Sequence, residues 1–310
     1  MKRIIVDVDA GTDDYLALLL LLKADQEQHI KIEAITCSAG NTSLENVINN
    51  VARLLQLVRR TDIPVFKGIK HQLILFNEDI KKYHGEDGFG DMNLAPPDTS
   101  FVKEQPAALA LYDMVNNNPG ELTVVVLGPL TNLALAIKLY DDMASKIKEV
   151  WIMGGNITGT GNTSCTAEFN FYLDPEAAYI VLECLKCPIF ILPWETCLRQ
   201  PIPWEWRINV LGNSTPELDL LTRAEKKILS SDNWGAWISC DAIVAFCLLN
   251  PEKNIVKKTI HHATVELHGC LTRGQVVLDH LKNKKPNVTI IESFDGELFQ
   301  EELLKLRTAL

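Results

Sequence analysis

The sequence predicts a single α/β domain over residues 1–310, built on a mostly parallel open sheet flanked by helices, with a small antiparallel section near the C-terminus. Three observations carry this expectation. Short β-branched or fully apolar runs alternate with helical stripes from residue 4 to about residue 195. Polar clusters recur just after those runs, where the carboxyl ends of parallel strands open a ligand crevice. No internal repeat or low-complexity linker divides the chain.

Ile4, Ile5, Val6 and Val8 form the first β-branched run, closed by a turn at Gly11. Thr12 and Asp13 then supply helix-start chemistry ahead of the apolar run Leu16 to Leu22. Residues 30–37 read as a second strand, followed by Ser38-Ala39-Gly40-Asn41. Thr42-x-x-Glu45 is a capping box for a helix whose stripe is Val47, Val51, Leu54, Leu55 and Val58. A third strand at 63–66 leads into a long polar region through residue 104, which holds the glycine-rich acidic loop HGEDGFGD (84–91). A helix over 105–116, a fully apolar strand over 122–128, a helix over 132–140 and a strand over 148–155 come next. The stretch 161–175 precedes a helix from Pro175 to about Leu185 with proline in its first turn, then a strand over 188–195. Residues 196–238 lack a clear period and carry tryptophans at 204, 206, 234 and 237. An apolar helix spans 240–249. The runs VELHG, GQVVLD and NVTII complete the antiparallel section ahead of a terminal helix.

Composition narrows the partners. Lys+Arg 30 against Asp+Glu 40 gives a net charge of −10, which argues against nucleic-acid binding and against highly anionic substrates. The apolar run Leu16 to Leu22 is too short to span a bilayer. A strand begins at residue 3 with no room for a signal peptide before it, and the 8 cysteines then suggest reduced thiols in a cytoplasmic protein. Cys184 and Cys187 form a lone CxxC without a second pair at zinc spacing, and read as packing at a helix end.

Chemistry concentrates at the first strand end. Asp7, Asp9, Asp13 and Asp14 bracket Gly11, and like charges so close repel unless a cation or hydrogen-bond donors compensate them. Dipole complementation at a helix N-terminus accounts for Asp13 and Asp14 but not for Asp7 and Asp9. A hard divalent cation with oxygen ligands satisfies all of them. An EF-hand is excluded because the glycine comes fifth rather than sixth, and no GxxxxGK[ST] loop is present. Asn41, Leu127-Gly128, Asn162 with Glu168 and Asn170, and Asp241 lie after other apolar runs. This set is poor in Lys and Arg and suits a neutral polyhydroxylated ligand better than a phosphate.

DVDAGTDD (7–14) resembles the DxDxGxDD signature of the inosine–uridine-preferring nucleoside hydrolase family. The likeness extends through AGN (39–41), LGPLTN (127–132), MGGN (153–156), GNTSCTAEFN (161–170), DPEAA (174–178) and TRG (272–274). The resemblance implies hydrolysis of the N-ribosidic bond of ribonucleosides, a homodimer or homotetramer, and one Ca²⁺. Its implied ligands are Asp9, Asp14, the main-chain carbonyl of Leu127, and Asp241. Implied sugar contacts are Asp13, Asn41, Asn162, Glu168 and Asn170, with Asp241 facing the ribose through the ion. Asp9 is the implied general base, because Ca²⁺ lowers the pKa of water less than Zn²⁺ does. His84 lies in the loop that approaches the nucleobase in the family. Trp194, Trp234 and Trp237 are candidates to stack on the base.

The sequence departs from the best-known relatives just before the last aspartate ligand, where Cys240 replaces a histidine proposed to protonate the departing base. It therefore resembles a branch with cysteine at that position. A free thiol still holds a proton at neutral pH, although it is a weak donor, so Cys240 is expected to contact the nucleobase and contribute to its departure, with His84 or a stacked tryptophan as the alternative activator. If 237–241 is helical, Trp237 lies one turn before Cys240 and Asp241 on the same face. Competing readings are a catalytically silent nucleoside-binding protein of the same fold and a metal-dependent phosphatase. The intact acidic set opposes the first, and the missing basic residues near Asp9 oppose the second.

Overall fold

The computed structural model describes residues 1–75, 82–231 and 235–310. Trp234 lies outside the described residues. Ten strands are present: β1 (Lys2–Val8), β2 (Ile30–Cys37), β3 (Val65–Lys67), β4 (Leu122–Val126), β5 (Glu149–Met153), β6 (Ile189–Leu192), β7 (Ile255–His261), β8 (Ala263–Val265), β9 (Val276–Leu278) and β10 (Val288–Phe294). Eight of them form one sheet in the order β3-β2-β1-β4-β5-β6-β10-β7, and β8 pairs with β9 in a separate ribbon. All pairings in the large sheet are parallel except β10 with β7.

The helices are α1 (Thr12–Gln26), α2 (Leu44–Leu57), α3 (Ala107–Asn117), α4 (Thr131–Leu139), α5 (Phe169–Leu173), α6 (Pro175–Cys184), α7 (Trp194–Leu198), α8 (Trp204–Trp206), α9 (Pro216–Ala224), α10 (Lys226–Ser231), α11 (Cys240–Leu249), α12 (Pro251–Asn254) and α13 (Gly296–Leu304). They cover both faces of the sheet. Ile4, Val6 and Val8 of β1 join the apolar layer of α1, α2, α9 and α11, while Ile5 joins that of α3, α4 and α6. Successive side chains of a strand point to opposite faces, so a strand buried on both reads as continuously apolar, as β1 does. Every residue from Leu16 to Leu22 of α1 is buried, because the helix also packs against α11. No helix among the described residues is long and apolar enough to cross a membrane.

Several expectations are corrected. Ser43, not Thr42, caps α2 by accepting from the Asn46 amide at 3.4 Å. The Thr42 hydroxyl instead donates to the Glu86 carbonyl at 2.7 Å, so the 84–91 loop competes for it and wins. NVTII belongs to the main sheet as β10, because its non-local partner β6 is free on one edge. The antiparallel section reduces to β8, β9 and the edge strand β7. Residues 188–195 do not continue as a strand, since Pro193 opens α7 after β6. The segment 237–241 is not helical before Cys240: Trp237 forms an isolated bridge with Ile202, its amide donating to the Ile202 carbonyl at 2.8 Å.

Candidate active site

β1 carries Asp7 and Asp9 to the carboxyl end of the central strand, and α1 starts immediately beyond. Between them Ala10 takes φ +36°, a left-handed backbone that costs a non-glycine residue strain. The Asn50 amide holds the Ala10 carbonyl at 3.1 Å. The kink lets Asp14 fold back to accept from the amides of Gly11 at 2.8 Å and Asp9 at 3.2 Å. Asp14 thus serves the glycine N-cap, which has no side chain of its own to do so.

Asp9, Asp14 and Asp241 are all buried, and ligand oxygens of Asp13, Asp14 and Asp241 lie within 4.8 Å of one another. Asp9 Oδ2 accepts from the Asn41 amide at 2.7 Å, whereas Asp9 Oδ1 is buried with no hydrogen-bond partner among the described residues. Neither Asp9, Asp14 nor Asp241 pairs with a lysine or arginine among those residues. Burial, then repulsion from Asp13 and its neighbours, pushes Asp14 up to about 7 and Asp241 well above the carboxylate range. Burial and Asp14 do the same to Asp9. Two glycines frame Asp9 so tightly that a methyl group at Gly40 would meet its Oδ2 at 2.0 Å, and one at Gly128 would meet its side chain at 2.9 Å. An all-oxygen, uncompensated set of this kind fits a hard divalent cation.

Around the cluster, Asn170 donates to the Leu127 carbonyl at 2.8 Å and to that of Met153 at 3.2 Å. A carbonyl oxygen has two lone pairs, so Leu127 keeps one for another partner. Glu168 caps α5, accepting from the amides of Asn170, Phe171 and Gly155 at 2.9, 3.2 and 2.7 Å. Burial still outweighs those bonds and raises its carboxyl to about 7. Asn41 also reaches Asp14, at 3.4 Å.

His84 is buried, and its Nδ1 accepts from the Thr12 amide at 3.2 Å. That bond places the proton on Nε2, which faces Asp13 Oδ1 at 3.3 Å. Burial lowers the imidazole pKa despite the nearby Asp13 carboxylate, so the ring is neutral around pH 7. His84 thus lies within ion-pair distance of Asp13, whose Oδ1 makes no hydrogen bond among the described residues.

Asp13 lies in the lining of a small crevice together with Thr12, Tyr83, Trp204, Glu225, Trp237 and Ser239, among others. Behind its wall Arg207 is fully buried and pairs with Glu225 Oε2 at 2.7 Å, while Trp237 Nε1 donates to Glu225 Oε1 at 2.8 Å. The guanidinium also lies 5.5 Å from the Trp237 ring centre.

The fold brings together Asp9, Asp13, Asp14, Asn41, His84, Leu127, Glu168, Asn170 and Asp241, with Trp237 on the crevice wall. Asn162 is exposed on the 161–168 loop, its amide donating to the Ala167 carbonyl at 3.2 Å. Cys240 is buried, and the neighbouring Cys197, ahead of burial, pushes its thiol well above the usual range. Trp194 is a core residue at the start of α7. The sequence did not flag Tyr83, Trp204, Glu225 or Ser239. Tyr83 and Ser239 adjoin flagged residues, whereas nothing periodic marks Glu225.

Clustered carboxylates at the carboxyl end of a parallel sheet, next to a slot walled by flat rings, define an enzyme centre of nucleoside chemistry. Residues 4–301 match the family model described as inosine-uridine preferring nucleoside hydrolase, and the chain belongs to that family. It is 33% identical over 313 residues to the pyrimidine-specific ribonucleoside hydrolase RihA of Escherichia coli (strain K12), covering 97% of this chain and 96% of that one. Among solved structures it is similar to an inosine–guanosine nucleoside hydrolase, with TM-score 0.90, 28% identity and full coverage of both chains. A plant nucleoside hydrolase superposes with TM-score 0.90 at 27% identity, covering 100% of this chain and 99% of that one.

Proposed function

We propose that the protein hydrolyses the N-ribosidic bond of ribonucleosides to ribose and free nucleobase, a step suited to nucleoside salvage or catabolism. Ca²⁺ would be held by Asp9, Asp14, Asp241 and the Leu127 carbonyl. The supporting observation is Asp9, a buried carboxylate with one oxygen tied to Asn41 and the other without a partner, among carboxylates that no cationic side chain compensates. When bound, a divalent cation offsets that repulsion and supplies the field that orients and acidifies a water.

The chain's own groups do the rest. Asp9 accepts the proton of the attacking water on its carboxylate. Asp13, beside His84, accepts from a ribose hydroxyl, and Asn41, Glu168 and Asn170 surround the remainder of the sugar. As the bond to the base lengthens, positive charge develops on the ribosyl carbon, and the carboxylates on that side stabilise it. The planar base stacks in the crevice between Trp237 and its neighbours.

Incubation with a panel of purine and pyrimidine ribonucleosides, following free ribose, tests this. Release from at least one member, abolished by exhaustive chelation and restored by Ca²⁺, is the expected result. Ribose release indifferent to chelation overturns the cation, and nucleoside binding without any release overturns the hydrolase.

A further inference from the structure

We infer that Ser239, rather than Cys240, supplies the protein's hydrogen bond to the departing nucleobase. Ser239 lines the crevice together with Trp237, Trp204 and Glu225, opposite Thr12 and Asp13. It is buried, and its hydroxyl has no hydrogen-bond partner among the described residues. A buried unpaired hydroxyl is costly unless a ligand completes it.

A second observation is independent of the crevice. Ser239 is the N-cap of α11, the position where a serine normally accepts from a backbone amide of the first turn. Here its side chain makes no such bond. The helix forgoes a cap to leave that hydroxyl unspent, two residues before Asp241. Cys240 instead belongs to the apolar core, as Cys197 does, and is absent from the crevice lining.

The ligand chemistry follows from position. In the chain Ser239 falls between Trp237, which lines the crevice with it, and Asp241 of the carboxylate cluster. A base held against Trp237 would offer that hydroxyl the acceptor carried by the carbon next to its glycosidic nitrogen, which is the exocyclic O2 of a pyrimidine or N3 of a purine. Both classes of base offer an acceptor at that place. Negative charge grows on the base as its bond to ribose breaks, so this hydrogen bond strengthens toward the transition state. Serine transfers no proton in the step; it donates a hydrogen bond while solvent protonates the base after departure.

This inference rests on the ribonucleoside hydrolase reading above, and the experiment separates the two. Wild type, Ser239→Ala and Ser239→Thr are assayed on inosine, uridine and p-nitrophenyl β-ribofuranoside, whose leaving group departs unaided and lacks the ring acceptor, and Tm is recorded for each. Loss of a substrate hydrogen bond predicts a drop of about 10-fold in kcat/KM on both nucleosides for Ser239→Ala. The loss on the aryl riboside should be several-fold smaller, Ser239→Thr should recover the nucleoside rate, and Tm should hold or rise. Equal losses on all three substrates, or a lowered Tm with unchanged substrate preference, would make Ser239 a structural cap and overturn the inference. A wild type that cleaves the aryl riboside but no ribonucleoside overturns the functional reading itself.

Discussion

Two buried charged centres adjoin one crevice, which Asp13 and Glu225 line, and they solve the same physical problem in opposite ways. Asp9, Asp14 and Asp241 gather like charges with no cationic side chain among them. A short distance away Glu225 is equally buried, but Arg207 and the Trp237 indole satisfy both of its oxygens. Burial still raises the Glu225 carboxyl, although both partners pull it down. The second centre compensates its carboxylate from within the chain, as architecture does. The first leaves its carboxylates uncompensated among the described residues, as a receptor for a cation would. Truncating a partner should therefore unfold one and disarm the other.

The largest effect is expected at the self-sufficient centre. Arg207→Met strands a buried carboxylate, which should cost about 3–5 kcal/mol in denaturant unfolding. Arg207→Met combined with Glu225→Leu should recover much of that loss. A single variant as stable as wild type would erase the distinction between the two centres.

Asp9→Asn sharpens it from the other side. Removing the base should cut ribose release by at least ~10². Metal-free stability should hold or increase, since one of several repelling charges is gone. Destabilisation comparable to that of Arg207→Met would mean that both centres are architectural.

Acidity provides the next contrast. In the metal-free protein Asp14 is raised to about 7, and burial with like-charge repulsion also raises Asp9 and Asp241 well above the carboxylate range. A folded-state pKa raised above the unfolded value of ~3.9 gives stability that is fully present below that value and is lost as pH rises through the folded pKa. Chelation should thus lower Tm more at pH 8 than at pH 5, where protons already offset the repulsion. A chelation effect independent of pH would refute the like-charge account.

The smallest effect is expected for Trp237→Phe, which keeps a ring on the wall but loses the bond to Glu225. A loss of about 1 kcal/mol in stability is anticipated, accompanied by a raised KM for nucleosides. Unchanged KM would remove Trp237 from the base slot.

The acidic centre was legible in the sequence because its parts lie at the ends of strands that advertise themselves. Alternating faces of β1, both buried, spell IIVDV, and the turn chemistry after it places Asp9 and Asp14 together. The crevice wall was not legible. Residues 204–231 fold as a three-residue helix, a π-helical turn at Arg207–Leu211 and two short helices, none long enough to display a period. β7 was hidden for a different reason: as an edge strand it buries little, and IVKKTIH reads as polar. Thr42 was misjudged because a local cap motif cannot reveal a distant loop that claims the same hydroxyl. Local chemistry was readable wherever one segment decided it, and failed wherever two distant segments bargained.

The packing of α1 against α11 has a consequence for how the protein is made. Asp14 lies in the first turn of one of these helices and Asp241 in the first turn of the other, more than two hundred residues later in the chain. At a synthesis rate of roughly 5–20 residues per second, the N-terminal carboxylates wait on the order of ten seconds or more for their last companion. Long-range closure of this kind comes late, after the loop entropy has been met. A nascent chain, or one cut short before α11, has the signature motif but not the full binding site. The full carboxylate cluster therefore assembles only after α11 has been made and has packed against α1.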